Sequence, residues 1–480
     1  MTEQISCSTL RPTLRMLSDE QIRAIHNTSL DILAGTGIAM KHDGARALLL
    51  DAGAWEVGDR IKIPEHLVMQ AIRTAPSRIP MHNRLGRLTM PLEEGKVFFG
   101  TGSDCPFTID AETRERRPAI AEDVRRFAQL SDALEQIDFV MSMGTPSDVP
   151  TMDHYIHSFI RMIRGSVKPN VYTASCRRDT EDIYEIACAV AGGEAQVREK
   201  PFMLLYVEPI SPLLYNPESV DSLLFCAEKS IPVTYLPSPN TGGGGPITMA
   251  GALALGNAEC LAGLVMSQLV RPGAPFLYGM NIAALDLQTT IVAYGAPDWS
   301  QAVAAVSDIA RFYHLPVWGG AGATDSKVVD AQAGFEAAAT IMSAFLSRCN
   351  LVHDVGYIEY GSTSSMEMLV ICDEIIRHAR FIAGGVEVSD RTLAREAIHR
   401  ARPGGGFVAD DHTLENWKQA QWRPGVVDRM RYANWSAKGC KDMAMRANKR
   451  ARDILAAHEV APLPQAAEEA IADVLKRRAA

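Results

Sequence analysis

Met203-Leu-Leu-Tyr-Val207, Glu208-Pro-Ile-Ser-Pro212, the run Pro217–Lys229 and Pro232-Val-Thr-Tyr-Leu236 follow one another along the chain. An apolar run of strand length gives way to turn-forming residues, then to a helix that opens on proline, then to a second apolar run. That is one strand–helix unit handing over to the next.

The same texture extends in both directions. Strands are expected at 97–99, 139–143, 171–174, 203–207, 232–236, 276–278, 316–318 and 351–354. Helices are expected between them at 121–134, 153–164, 179–191, 217–229, 250–270, 300–313 and 328–347, with a last one at 365–382. Strand starts about thirty to forty-five residues apart suit one βα unit each. Eight such units in series are the count of an α/β (β/α)8 TIM barrel closed by right-handed crossovers. A doubly wound open sheet competes, but it needs a reversal of strand order, and the uniformity of the units favours closure.

Three regions are therefore expected. Residues 1–96 read as a mostly helical cap, 97–385 as the barrel, and 386–480 as a helical extension forming an outer layer. In the cap, Ser18 and Gln21 form a capping-box pattern ahead of an apolar stripe of Ile22, Ile25, Leu30, Ile32 and Leu33 that ends at Gly35 and Gly37. Two further helices are expected there at 44–52 and 65–75, with a small extended insert. A covering or oligomerisation layer is the role such helices suit. In the extension, helices are expected at 391–400, 413–421, 437–457 and 465–478.

Composition bounds the function classes. A chain of 480 residues with 47% hydrophobic and 22% charged residues buries a large core and is neither disordered nor fibrous. Its 48 basic and 57 acidic residues give a net charge of −9 with no basic stripe, which argues against nucleic acid as a partner. Residues 1–10 carry no secretory-signal pattern, and no run reaches the roughly 20 apolar residues of a membrane span. The most apolar segment, 247–270, is interrupted by Asn257, Glu259 and Gln268 and reads as a buried amphipathic helix. Nine cysteines without a C-x-x-C pair suit free thiols in a reducing cytoplasm.

In a barrel of this kind the active site gathers at the carboxyl ends of the strands. That rule selects Phe99-Gly-Thr-Gly-Ser-Asp104, then Thr173, Ser175 and Cys176, then Glu208. It continues with the loop 237–246, with Asn281, with the loop 318–327, and with His353, Asp354, Tyr357 and Tyr360. The glycines Gly242–Gly245 match no phosphate loop, though bare backbone there could lie close to a flat group. Zinc is not expected: Cys349 and His353 are about 13 Å apart along extended chain, and no H-x-x-x-H or H-E-x-x-H occurs. No nucleophile elbow is present. Lys327 offers a Schiff-base lyase as an alternative, and His353 a general base or an orienting donor.

Taken together, several stretches resemble the trimethylamine methyltransferase family. They are Gly319-Gly-Ala-Gly-Ala-Thr-Asp-Ser-Lys327, Asp330-Ala-Gln-Ala-Gly-Phe-Glu336 and Asn350-Leu-Val-His-Asp-Val-Gly-Tyr357. Leu17-Ser-Asp-Glu-Gln-Ile22, Ser29-Leu-Asp-Ile-Leu33, Glu208-Pro-Ile-Ser-Pro212 and Asn240-Thr-Gly-Gly-Gly-Gly-Pro246 belong to the same set. The resemblance implies a (β/α)8 barrel that moves a methyl group from an amine to the cobalt of a separate corrinoid protein. This chain then binds no cofactor of its own; the cobalamin is carried by its partner. Archaeal trimethylamine enzymes contain pyrrolysine near the Asp-Ser-Lys segment. This chain has only standard residues, so the resemblance points to the pyrrolysine-free branch and a quaternary amine of the glycine betaine kind.

A quaternary ammonium leaves as a neutral amine when its methyl is taken, so no general acid is needed. The protein must place the methyl in line, exclude water and hold the cation. A trimethylammonium head has no N–H to donate, which makes aromatic faces its natural cage. Phe98 or Phe99, Tyr357 and Tyr360 are the expected aromatics. His353 is a donor for a substrate carboxylate, and Glu208 the acidic counterpart of the cation. A non-catalytic binder of betaine or of the corrinoid protein is the remaining alternative. Assembly as a homo-oligomer is expected.

Overall fold

A computed structural model describes residues 12–479. Residues 1–10, read above for a secretory signal, lie outside the described residues. Seven parallel strands form one curled sheet in the order Phe98–Phe99, Leu351–His353, Val317–Gly320, Phe276–Gly279, Val233–Tyr235, Met203–Val207, Asn170–Thr173. From Asn170 to His353 each strand lies beside its predecessor in the chain, as repeated strand–helix units do. The fold is α/β, a curled parallel sheet wrapped by helices.

The expected strand 139–143 contracts to two bridging residues. Phe139 pairs with Gly100 and Val140 with Asn170, each by a single parallel bridge to one edge of the sheet. Val171 N donates to Val140 O at 2.9 Å and Val140 N to Pro169 O at 3.0 Å. Pairing stops there because Met141 N turns to Thr101 Oγ1 at 2.7 Å, and Met143 sits at φ 57°, outside the extended region.

Alternation along the strands separates two cores. Leu351, Trp318, Leu277, Leu204, Val171, Phe139 and Met141 pack in the sheet's interior. Val352, Val317, Phe276, Val233, Leu205 and Tyr172 face the helices. An antiparallel hairpin, Ile79–His82 with Leu88–Leu92, inserts Ile79, Met81, Met90 and Leu92 into the interior set. It enters at the strands' amino ends: His82 N bonds Pro201 O at 2.8 Å, and Arg84 N bonds Val167 O at 3.0 Å. That end is closed by apolar side chains, so a cavity inside the curl opens at the carboxyl ends.

Met249–Val270 is buried all round from Ala252 to Gln268, and is not the amphipathic helix expected. Asp19–Asp31 and Glu65–Thr74 of the N-terminal region pack across the face that would otherwise meet solvent. It is long and apolar enough to cross a membrane, and 83% of its most apolar stretch is buried. Its polar interruptions are satisfied. Asn257 Nδ2 donates to Ser29 Oγ and Tyr313 OH, both at 2.9 Å, and its Oδ1 accepts the Tyr278 hydroxyl at 2.6 Å. Glu259 accepts Leu213 N at 2.6 Å and Ser211 Oγ at 2.8 Å, and burial pushes its carboxyl up to about 7.

Beyond the sheet, the expected helix 437–457 is two, Tyr432–Ala437 and Met443–Ala457, because Gly439 turns the chain at φ 90°. Met443–Ala457 packs on Met366–Ala383. The last helix, Gln465–Ala479, is pinned by Arg478, whose buried guanidinium pairs with Asp179, Asp182 and Asp153 at 2.7, 2.6 and 2.9 Å.

Candidate active site

At the carboxyl ends of the strands lies a cavity of about 570 Å³. It is lined by Asp104, Tyr155, Thr173, Tyr206, Glu208, Asn281, Tyr294, His353, Asp354, Tyr357 and Tyr360, with Glu218 and several serines at its margin. Tyr206 and His353 each stand one inward position beyond Leu204 and Leu351, so the strand period itself carries them from core to cavity floor. With Trp318 they form an aromatic layer: the Trp318–His353, Tyr206–Trp318 and Tyr206–His353 ring centroids lie 4.6, 5.2 and 6.0 Å apart. Gly102 keeps the wall open, since a Cβ there would collide with the Tyr357 hydroxyl and the Asp354 carboxylate.

The electrostatics are one-sided. Asp354 turns back at φ 73° and brings its Oδ1 to 2.8 Å from His353 Nδ1, while Nε2 of this 5%-exposed histidine is without a protein partner. Asp104 faces the cavity with a solvent-exposed side chain, although protein atoms crowd around it. Loss of bulk water pushes its carboxyl up, the Ser103 hydroxyl at 2.7 Å pulls it down, and the Asp354 charge adds to the rise. Glu208 is likewise raised by burial; the Tyr206 and Ser238 hydroxyls work against this, and the Asp104 charge works with it. The Tyr294 hydroxyl is pushed up by burial, then by the charges of Asp354 and Glu208. No lysine or arginine lines the cavity.

Of the residues expected from sequence, Glu208, His353, Tyr357 and Tyr360 line this one cavity. Phe98 and Phe99 do not. Phe99 is fully buried and faces the helices, its ring 6.1 Å from that of Phe345 in a parallel stack. Phe98 packs against the interior core and borders a separate recess with Lys96, Asp138 and Arg380. The physical reason is strand length: the chain runs on through Gly100 to Asp104 before it meets the cavity, so Asp104 arrives where an aromatic was expected.

Tyr155, Tyr206 and Tyr294 were missed. Tyr206 could have been found by counting inward positions from Leu204. Tyr155 enters from the first turn of His154–Gly165 and Tyr294 from the segment after a short hairpin, Ala284–Asp286 with Ile291–Ala293. Neither carries a local signal. Lys327 is exposed at the rim, donating Nζ to Asp325 O at 2.8 Å with Nζ 5.7 Å from the Tyr360 ring centroid, and it does not line the cavity. The glycines Gly242–Gly245 lie outside the lining as well. Among the described residues no group of three or more His, Cys, Asp or Glu is placed to hold a metal ion. Aromatic faces with carboxylates form a donor set for an organic cation.

The family model for trimethylamine methyltransferase (MTTB) matches residues 3–480. The chain belongs to the trimethylamine methyltransferase family. It is an enzyme of the methyltransferase class. Trimethylamine methyltransferase MttB of Desulfitobacterium hafniense (strain DSM 10664 / DCB-2) is 32% identical over 451 residues, covering 93% of this chain and 90% of the relative. Glycine betaine methyltransferase of D. hafniense (strain Y51) is 30% identical over 449 residues, covering 93% of each. Among solved structures, monomethylamine methyltransferase of Methanosarcina barkeri matches with a TM-score of 0.53 at 12% identity, covering 94% of this chain and 89% of that one. That last likeness concerns the fold alone.

Proposed function

We propose that this enzyme moves a methyl group from a quaternary amine, of the glycine betaine kind in carrying a trimethylammonium head, to the Co(I) of a separate corrinoid protein. One observation carries the reading: the cavity presents five tyrosines and no lysine or arginine. Such walls attract a fixed positive charge. The relatives named for trimethylamine and glycine betaine support the same class of methyl donor.

Reduced cobalt supplies the nucleophile when the partner is bound; the residues of this chain hold and orient the amine. Tyr155, Tyr206, Tyr294, Tyr357 and Tyr360 offer their faces to the cation. The carboxylates balance its charge, and the aromatic layer beneath excludes water. Because the positive charge is consumed as the methyl leaves, a cage that bound it too tightly would slow transfer.

The two bridges at Phe139 and Val140 support reading the sheet as a closed (β/α)8 barrel with an irregular eighth strand. On that reading 97–385 is the barrel, 1–96 its N-terminal cap and 386–480 its C-terminal extension. We further read the enzyme as a cytoplasmic homo-oligomer.

The test supplies the full chain with Co(I) corrinoid protein and a series of quaternary amines, following cobalt methylation by absorbance. Amine-dependent methyl-cobalt and one equivalent of demethylated amine are expected. Transfer from trimethylamine with none from any quaternary amine overturns the reading.

A further inference from the structure

We propose that the amine this cavity selects is a net cation, a quaternary ammonium whose remaining substituent is uncharged and bears a hydroxyl, with choline as the type and the zwitterionic betaines disfavoured. The inference rests on the quaternary-amine reading above and narrows it.

Four carboxylates line the cavity, on Asp104, Glu208, Glu218 and Asp354. Their partners are Ser103, the Tyr206 and Ser238 hydroxyls, the Asn216 amide and the His353 ring, respectively. Among the described residues none of the four is ion-paired to a lysine or arginine. Lys327, beside Tyr360, is held at the rim by Asp325 O. A cation brings this cavity its missing counter-charge. A betaine brings a cation and, two or three bonds away, another carboxylate with no lysine or arginine to receive it, and like charges in a recessed site repel.

A second, independent feature concerns the other end of the ligand. His353 is buried in the cavity floor, and its Nε2 has no protein partner. Asp354 Oδ1 stands 2.8 Å from Nδ1, on the other side of the ring. A hydroxyl both donates and accepts, so it can pair with Nε2 in either tautomer, whereas a carboxylate can pair with it in only one. A hydroxyl on a short arm from the ammonium satisfies Nε2 while the head stays among the tyrosines.

The test is calorimetric and needs no cobalt. The full chain is titrated with choline, tetramethylammonium and glycine betaine. Choline is expected to bind at least about tenfold more tightly than glycine betaine, with tetramethylammonium between them. E208Q narrows the gap between choline and glycine betaine. H353F brings choline down to the affinity that tetramethylammonium has for the same variant. Glycine betaine binding as tightly as choline, or no binding of choline, overturns the inference in the unaltered enzyme, whatever the variants do. Preferential choline binding without cobalt methylation supports it and overturns the functional reading alone.

Discussion

His353 and Asp354 are consecutive in the chain, yet the Asp354 Oδ1 stands 2.8 Å from the Nδ1 of its own neighbour, an ion-pair contact. The turn that allows this, with Asp354 at φ 73°, fixes the ring against Trp318 and Tyr206 and sets which nitrogen faces away from the carboxylate.

Removing that hold should disturb placement more than folding. Asp354→Ala is expected to lower kcat/KM for methyl transfer by about 100-fold, the scale of a misplaced reacting group. Single-turnover cobalt methylation checks this, with an unchanged circular dichroism spectrum as control.

Glu208 has a carboxyl group raised by burial in the folded state. A group raised above its unfolded value contributes stability at low pH that is lost as pH rises through the folded value. Glu208→Gln is therefore expected to raise the melting temperature of the ligand-free enzyme at pH 8. The gain should shrink as pH falls toward the ordinary carboxylate range. Thermal unfolding between pH 5 and 8 measures it, and a gain that grows on acidification would refute the sign.

Tyrosines and phenylalanines near the first strand should separate cleanly. Tyr206→Ala or Tyr360→Ala is expected to weaken binding of a quaternary ammonium by about 0.5–2 kcal/mol. Phe99→Ala should cost about 3–5 kcal/mol of stability, because that ring is fully buried against the helices. Calorimetry and chemical unfolding on the three variants read the two effects separately.

Gly102→Ala drives a methyl into Tyr357 and Asp354. The cost expected is about 1–3 kcal/mol of overpacking strain, together with loss of amine binding, since both displaced groups line the cavity. Binding that survives intact would mean the wall can give way.

Much of the architecture can be read from the sequence because long apolar runs and proline-started helices are local signals. Met203–Val207 and Pro217–Lys229 fall where their residues alone put them. Elements with little local signal were lost. Ile79–His82 and Leu88–Leu92 alternate correctly, but each is short and holds a proline. The cavity was half legible: the strand-end rule supplied Glu208 and His353, while Tyr155 and Tyr294 come from segments whose aim is set only by packing. Phe98 and Phe99 misled because a strand end was equated with the end of an apolar run.

The hairpin that stoppers the amino end of the curled sheet leaves the cavity's mouth at the carboxyl ends. In the proposed reaction the small molecule and the much larger methyl acceptor must share it. Turnover is then compulsorily ordered: the amine is seated before the partner docks, and the spent amine departs only after the partner has backed away.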